Sequence, residues 1–188
     1  MHKTYIVAVN AISGGGKTTV TQYLKENLGN VEALYFDDRD YDRDSGIVDI
    51  CKWMDEGADA NRFNLDLLIE DIEQLLKKGL DFIILDYPFG RRHNKIAKYI
   101  DISMFIDTPL DIALARRLLR DYKCVSEKNV FDDIEFYLSR GRQTYLSSRE
   151  RAIDDADVII DGSEALNVTI DFIKSKVYEL IKEQQIPI

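Results

Sequence analysis

The sequence predicts an α/β fold of three layers, a mostly parallel sheet between helices. Three observations predict it. Short apolar runs alternate along the chain with segments of helical spacing. Several of those runs are almost continuously apolar, as strands covered on both faces should be. A glycine-rich turn, Ser13 to Gly16, joins the first apolar run directly to the first helical segment.

The elements follow in order. Strands are predicted at Tyr5–Ala11, Val31–Phe36, Phe82–Leu85, Ile102–Ile106 and Val158–Ile160. Helical spacing appears first in Val20, Leu24 and Leu28, then in Leu65, Leu68, Ile69, Ile72, Leu75 and Leu76. It returns in Ile112, Ala115 and Leu119, and finally in Leu166, Ile170, Ile173, Val177, Leu180 and Ile181. Boundary residues agree with this reading. Gly79 closes the second helix, Thr108-Pro109 opens the third with proline near its first turn, and Ser163 with Glu164 behind it is placed to cap the last. The stretch Lys123 to Ser139, polar and then weakly amphipathic, reads equally as a lid or as a surface excursion.

A chain of 188 residues with 45% hydrophobic residues is expected to bury one core, so a single domain over residues 1–188 is predicted. Only three prolines occur, and no Pro/Gly/Ser linker divides the chain. Thirty-four acidic residues against 25 basic ones give a net charge of −9, which repels a phosphate backbone and argues against nucleic acid as a partner. No apolar run reaches membrane-spanning length and the N-terminus enters a strand at once, so a cytoplasmic protein without a membrane partner is expected. Cys51 and Cys124 show no ligand spacing and read as free thiols. Nothing in the sequence fixes an oligomeric state.

Residues 11 to 18 match G-x-x-x-x-G-K-[ST] except that Ala11 replaces the first glycine, and the strand before and helix after are the context such a loop requires. Gly14, Gly15 and Gly16 let successive backbone N–H groups face an anion, helped by the helix dipole, with Ser13 opening the turn. Lys17 then reaches the β- and γ-phosphates of a nucleotide, Thr18 offers its hydroxyl to Mg²⁺, and Thr19 is placed to donate to a phosphate oxygen. The implied cofactors are ATP and Mg²⁺. There is no G-x-G-x-x-G, so a dinucleotide site is the weaker reading.

Ligands of open α/β sheets bind at the carboxyl ends of the strands, where two acidic groups stand. Asp86 ends the third apolar run in the hhhhD pattern that supports Mg²⁺, and Asp37-Asp38 opens an acidic loop after the second. Asp37, nearest the strand, is the candidate general base for an acceptor hydroxyl, with Asp38 second. Arg116, Arg117 and Arg120 on one helix, and Arg140 and Arg142 beyond the lid candidate, supply guanidiniums that can neutralise transferring phosphate. Arg91-Arg92-His93 forms another basic patch, with His93 expected at the surface.

Together these residues resemble the uridine kinase family of P-loop kinases, relatives of phosphoribulokinase and nicotinamide riboside kinase, over almost the whole chain. Ser13 to Thr19 is similar to the family's S-x-G-K-[ST] cradle, and Asp37-Asp38 falls where the family has its catalytic acid. Asn61-Arg62-Phe63-Asn64 resembles the D-x-F-[DN] segment that touches the sugar. Phe105 to Thr108, Arg116 to Asp121, Arg140 to Arg142 and Ala156 to Ile160 resemble the later motifs in order. The resemblance implies a five-stranded parallel sheet ordered 2-3-1-4-5 with a lid over about residues 116–142. It also implies Asp37 as base, Lys17 and Arg120 on the transferring phosphates, Arg117 near the donor, and Asp38, Asn61, Phe63, Arg140 and Arg142 on the substrate. The expected activity is ATP-dependent phosphoryl transfer to a hydroxyl of a small molecule, a nucleoside first. A vitamin or sugar acceptor, or a slowly hydrolysing P-loop switch, are the alternatives. Departures from the family pattern, Arg39, Asn61 and Asp86-Tyr87-Pro88, lie on the acceptor side.

Overall fold

The computed structural model describes residues 3–37, 41, 46–47, 49–123 and 127–185. Five strands, β1 (Tyr5–Ala11), β2 (Val31–Tyr35), β3 (Phe82–Asp86), β4 (Ile102–Asp107) and β5 (Val158–Asp161), form one sheet in the order β2-β3-β1-β4-β5. Every neighbouring pair is parallel. This is the order implied by the family resemblance. Register brings the functional ends level: Asp86 lies opposite Val9 on one side and Tyr35 on the other, and Asp107 lies opposite Asp161.

Strand periodicity divides the interior into two cores. Ile6 and Ala8 of β1, with Ile83 and Leu85 of β3, face α3 (Asp66–Leu76), which turns Leu68, Ile72 and Leu75 toward them. Val7 and Val9, with Ile84 and Met104, pack on the opposite side with α1 (Lys17–Asn27) and α8 (Leu166–Gln185). The edge strands are less covered than the sequence suggests. All of β2 is half-buried, and β5 alternates buried and exposed residues, because each lacks a neighbour on one side.

Further elements occupy the connections. They are α2 (Ile50–Asp55), a 3₁₀ turn (Ala60–Arg62), α4 (Asn94–Ala97), α5 (Leu110–Tyr122), α6 (Glu127–Phe136) and α7 (Arg142–Asp155). A π-helical turn, Tyr137–Gly141, joins α6 to α7 without a break, so the undecided stretch after Lys123 is helical from Glu127.

Two expectations are corrected here. Ser163 does not cap the last helix: its N–H and hydroxyl both donate to Asp161, at 2.8 and 2.6 Å, and α8 starts at Leu166. His93 is buried, not at the surface, because the chain after β3 folds back beneath the 3₁₀ turn and His93 Nε2 donates to the Phe63 carbonyl at 3.1 Å. Cys124 and Asp38 lie outside the described residues. No helix among the described residues is long and apolar enough to cross a membrane.

Candidate active site

The turn between β1 and α1 is built around two left-handed glycines, Gly14 at φ 82° and Gly16 at φ 99°. A side chain at Gly14 would collide with the Ala113 carbonyl of α5, so the turn lies directly under that helix. Gly16 is the N-cap of α1 and offers no side-chain cap, and no acidic residue stands in the first turn. The amide donors and the positive dipole end of an 11-residue helix therefore stay available to an anion. The turn is fixed from below by the Thr108 hydroxyl, which donates to the buried Gly15 carbonyl at 2.8 Å.

Lys17 sits at the mouth of this cradle. Its Nζ pairs with the carboxylate of Asp86, which is 2% exposed, and lies 3.5 Å from Oδ2 of Asp37, which is 73% exposed. The two acids thus flank one ammonium, one at the sheet and one toward solvent. A cavity of about 840 Å³ opens over them, lined by the turn from Ser13 to Thr19, by Asp37, and by Arg116 and Arg120 from α5. Its far end reaches Gly162, Glu164, Leu166 and Thr169, beyond β5. Arg116 donates to the Gly162 carbonyl at 3.1 Å, which ties α5 to that end.

The other arginines are held by carboxylates. Arg117 stands above Gly14 and donates from Nη1 to both oxygens of Asp133 in α6, at 2.7 and 2.9 Å, while its buried Nε has no partner among the described residues. Burial works most strongly against its charge, but the Asp133 hydrogen bonds together with the charges of Tyr145, Asp133 and Asp121 hold its pKa above the ordinary value. Arg120 pairs with Asp121 at 2.6 Å, and this hydrogen bond raises its pKa in the same way. Arg140 pairs with Asp55 of α2, whereas Arg142 is exposed and forms no ion pair with a described residue.

Asn61 and Phe63 do not reach this cavity. The Asn61 carbonyl oxygen accepts from the N–H of Asn94 at 2.8 Å, and its amide donates to Asp59, so it ties the 3₁₀ turn to α4. Phe63 is buried in an aromatic cluster with Phe36, Trp53 and Phe89, its ring centre 4.7 Å from that of Phe89. Beside the cradle a smaller pocket of about 190 Å³ is walled by Ser13, Trp53, Phe89, Arg92, Tyr145 and Ser148. Sequence reasoning misses this pocket. Its residues come from five segments, and apart from Ser13 of the cradle only the tripeptide Arg91-Arg92-His93 gave a signal, read as a basic patch. The structure splits that patch: Arg91 ties β4 and β5 together, bonding the Asp101 carbonyl at 2.9 Å and Asp157 at 2.6 Å, while Arg92 lines the pocket and His93 is buried.

No set of three or more His, Cys, Asp or Glu side chains is gathered as a metal site among the described residues.

A parallel sheet of this order, with an uncapped glycine turn and a lysine beside the acids Asp86 and Asp37, resembles the nucleotide site of P-loop kinases, and the chain is similar to uridine kinases. Uridine kinase from Staphylococcus aureus strain JH9 is 28% identical over 213 aligned positions, covering 98% of this chain and all of that one. The uridine kinase of strain Newman matches equally. The structure of deoxyadenosine kinase from M. mycoides with bound dCTP shares the fold with a TM-score of 0.53 at 15% identity, covering 93% of this chain and 99% of that chain. The family described as AAA domain matches residues 7–137, and the chain belongs to it.

Proposed function

We propose that the protein transfers the γ-phosphoryl group of ATP to a hydroxyl of a small molecule, with a nucleoside as the leading class of acceptor. One observation carries the reading: Lys17, at the open end of the glycine cradle, stands between a buried acid, Asp86, and an exposed one, Asp37. An acid on the solvent side of the phosphate-binding lysine is where an incoming hydroxyl can lose its proton. The uridine kinase relatives support the acceptor class.

In this reading the backbone of Ser13 to Gly16 and the start of α1 bind the β- and γ-phosphates, with Thr19 donating beside them. Lys17 leaves Asp86 for the phosphates and neutralises the charge that gathers there during transfer. Thr18 and Asp86 would hold Mg²⁺, which supplies charge neutralisation and orients the phosphate tail. Asp37 accepts the acceptor's proton, and Asp38 adjoins it. Arg120 faces the transferring phosphate. Arg117 joins it on release from Asp133, so the segment over about residues 116–142 acts as a lid. Arg140 and Arg142 border the acceptor side. Asn61 and Phe63 serve that side indirectly, by holding α4 and the aromatic wall in place. Most of the rate gain comes from positioning and charge stabilisation.

The test is ADP release by the purified protein with ATP and Mg²⁺ against nucleosides, vitamins and sugars. Release that depends on an acceptor, and that falls at least a hundredfold in Lys17→Ala, supports the kinase. Release indifferent to every acceptor favours a hydrolysing switch.

A further inference from the structure

The acceptor side continues outward from the cradle. The 190 Å³ pocket shares Ser13 and Pro88 with the nucleotide cavity. A further hollow of about 330 Å³ shares Met54, Thr144 and Ser148 with that pocket and opens between α2 and α7. Arg92 stands in the inner wall and Arg151 in the outer one.

The charges on this wall are unbalanced. Arg92 donates from Nε to the Phe89 carbonyl at 3.2 Å and from Nη2 to the Pro88 carbonyl at 3.4 Å, both in its own loop, and its guanidinium lies 5.7 Å over the Phe89 ring. Neither Arg92 nor Arg151 forms an ion pair with a described residue. The acid whose field reaches Arg92 is Asp155, whose Oδ2 already accepts from the Arg91 N–H at 2.7 Å and the Ser103 hydroxyl at 3.1 Å. Burial pushes the Arg92 pKa down, and the like charge of Arg151 pushes it further. Arg140, by contrast, is matched by Asp55. The chain carries a net charge of −9, yet these two arginines beside a small pocket have no carboxylate partner among the described residues.

We propose that this wall receives a negative charge carried by the acceptor. The substrate is then an anionic alcohol, with its hydroxyl presented toward Asp37 and a carboxylate or phosphate seated against Arg92 and Arg151. The inference rests on the kinase reading above and narrows it. Oxygen atoms of an anion take the N–H donors that Arg92 directs to no described residue, and charge-assisted hydrogen bonds of this kind are the strong ones. A nucleoside satisfies the wall in a charged form, with a carboxylate on its base or a phosphate on a hydroxyl other than the reacting one. No bond forms or breaks at the wall; Arg92 is a specificity residue.

Matched trios test this. A nucleoside, its base-carboxylated counterpart and its monophosphate, and likewise glycerol, glycerate and glycerol phosphate, are compared by ADP release with the wild type, Arg92→Met and Arg92→Lys. The charged members should exceed the neutral one by about tenfold to a hundredfold in kcat/KM, chiefly through KM. Arg92→Met should erase most of that gap and Arg92→Lys restore part of it. The carboxylate and phosphate arms say which anion is used. ATP titration checks that Arg92→Met is folded, and Arg151→Met is the second variant should it fail. Neutral members turned over as well as charged ones, or a gap that survives both Met variants, would overturn the inference while leaving the kinase intact. ADP release independent of every compound would overturn the kinase reading, and the inference with it.

Discussion

At the scale of single residues, Lys17, Asp37 and Gly14 carry the proposed chemistry. Asp37→Asn keeps the shape of the side chain and removes its basicity, so turnover should fall by about 10²–10⁴-fold while ATP binding, measured by titration, stays nearly unchanged. An unchanged rate would take Asp37 out of the chemistry. Gly14→Ala meets both a left-handed φ of 82° and the Ala113 carbonyl, and should cost about 1–3 kcal/mol of stability and weaken ATP binding, read by thermal unfolding and titration. Lys17, Thr18 and the glycines were legible in nine consecutive residues, because a phosphate cradle is a local device in which backbone and helix start belong to one stretch of chain. The aromatic and arginine wall at Trp53, Phe89, Arg92 and Tyr145 was not, because no one segment carries the pocket, which exists only once five segments converge. His93 shows the same limit: a histidine beside two arginines reads as surface until the fold supplies the Phe63 carbonyl.

At the scale of elements, sheet strands were the most legible. β1 begins and ends as its apolar run does, and the other four differ by a single residue at the carboxyl end, where Phe36 drops out and Asp86, Asp107 and Asp161 are added. Those added acids extend strands whose pairing partners continue beside them, which local hydropathy cannot report. The region from α5 to α7 was the least legible, since α6 buries no clear stripe and leaves Phe131 63% exposed. The Arg117–Asp133 pair joins α6 to the helix over the cradle. Phosphate and Asp133 would compete for the same guanidinium. Asp133→Asn should therefore tighten ATP binding severalfold, measured as Kd, while lowering the stability of α6 in hydrogen exchange. A weaker or unchanged Kd would mean that Asp133 positions Arg117 and does not restrain it.

At the scale of the whole molecule, the sheet order came from the family resemblance, since periodicity alone gives strands and helices but not their arrangement. That order sets β1 and β3 side by side, with Asp86 one strand away from the cradle, and puts Asp37 across from the arginines of α5. In the proposed reading the donor half of the site is thus a consequence of topology, and the acceptor half of what the connections after β2 and β3 carry. The measurement that bears most directly on the claim is the balance of products in one reaction vessel: ADP counted against phosphorylated alcohol and inorganic phosphate by ³¹P NMR. A kinase yields one phosphomonoester for each ADP, and Lys17→Ala should yield neither product. ADP matched by inorganic phosphate, with no phosphorylated acceptor, would contradict it.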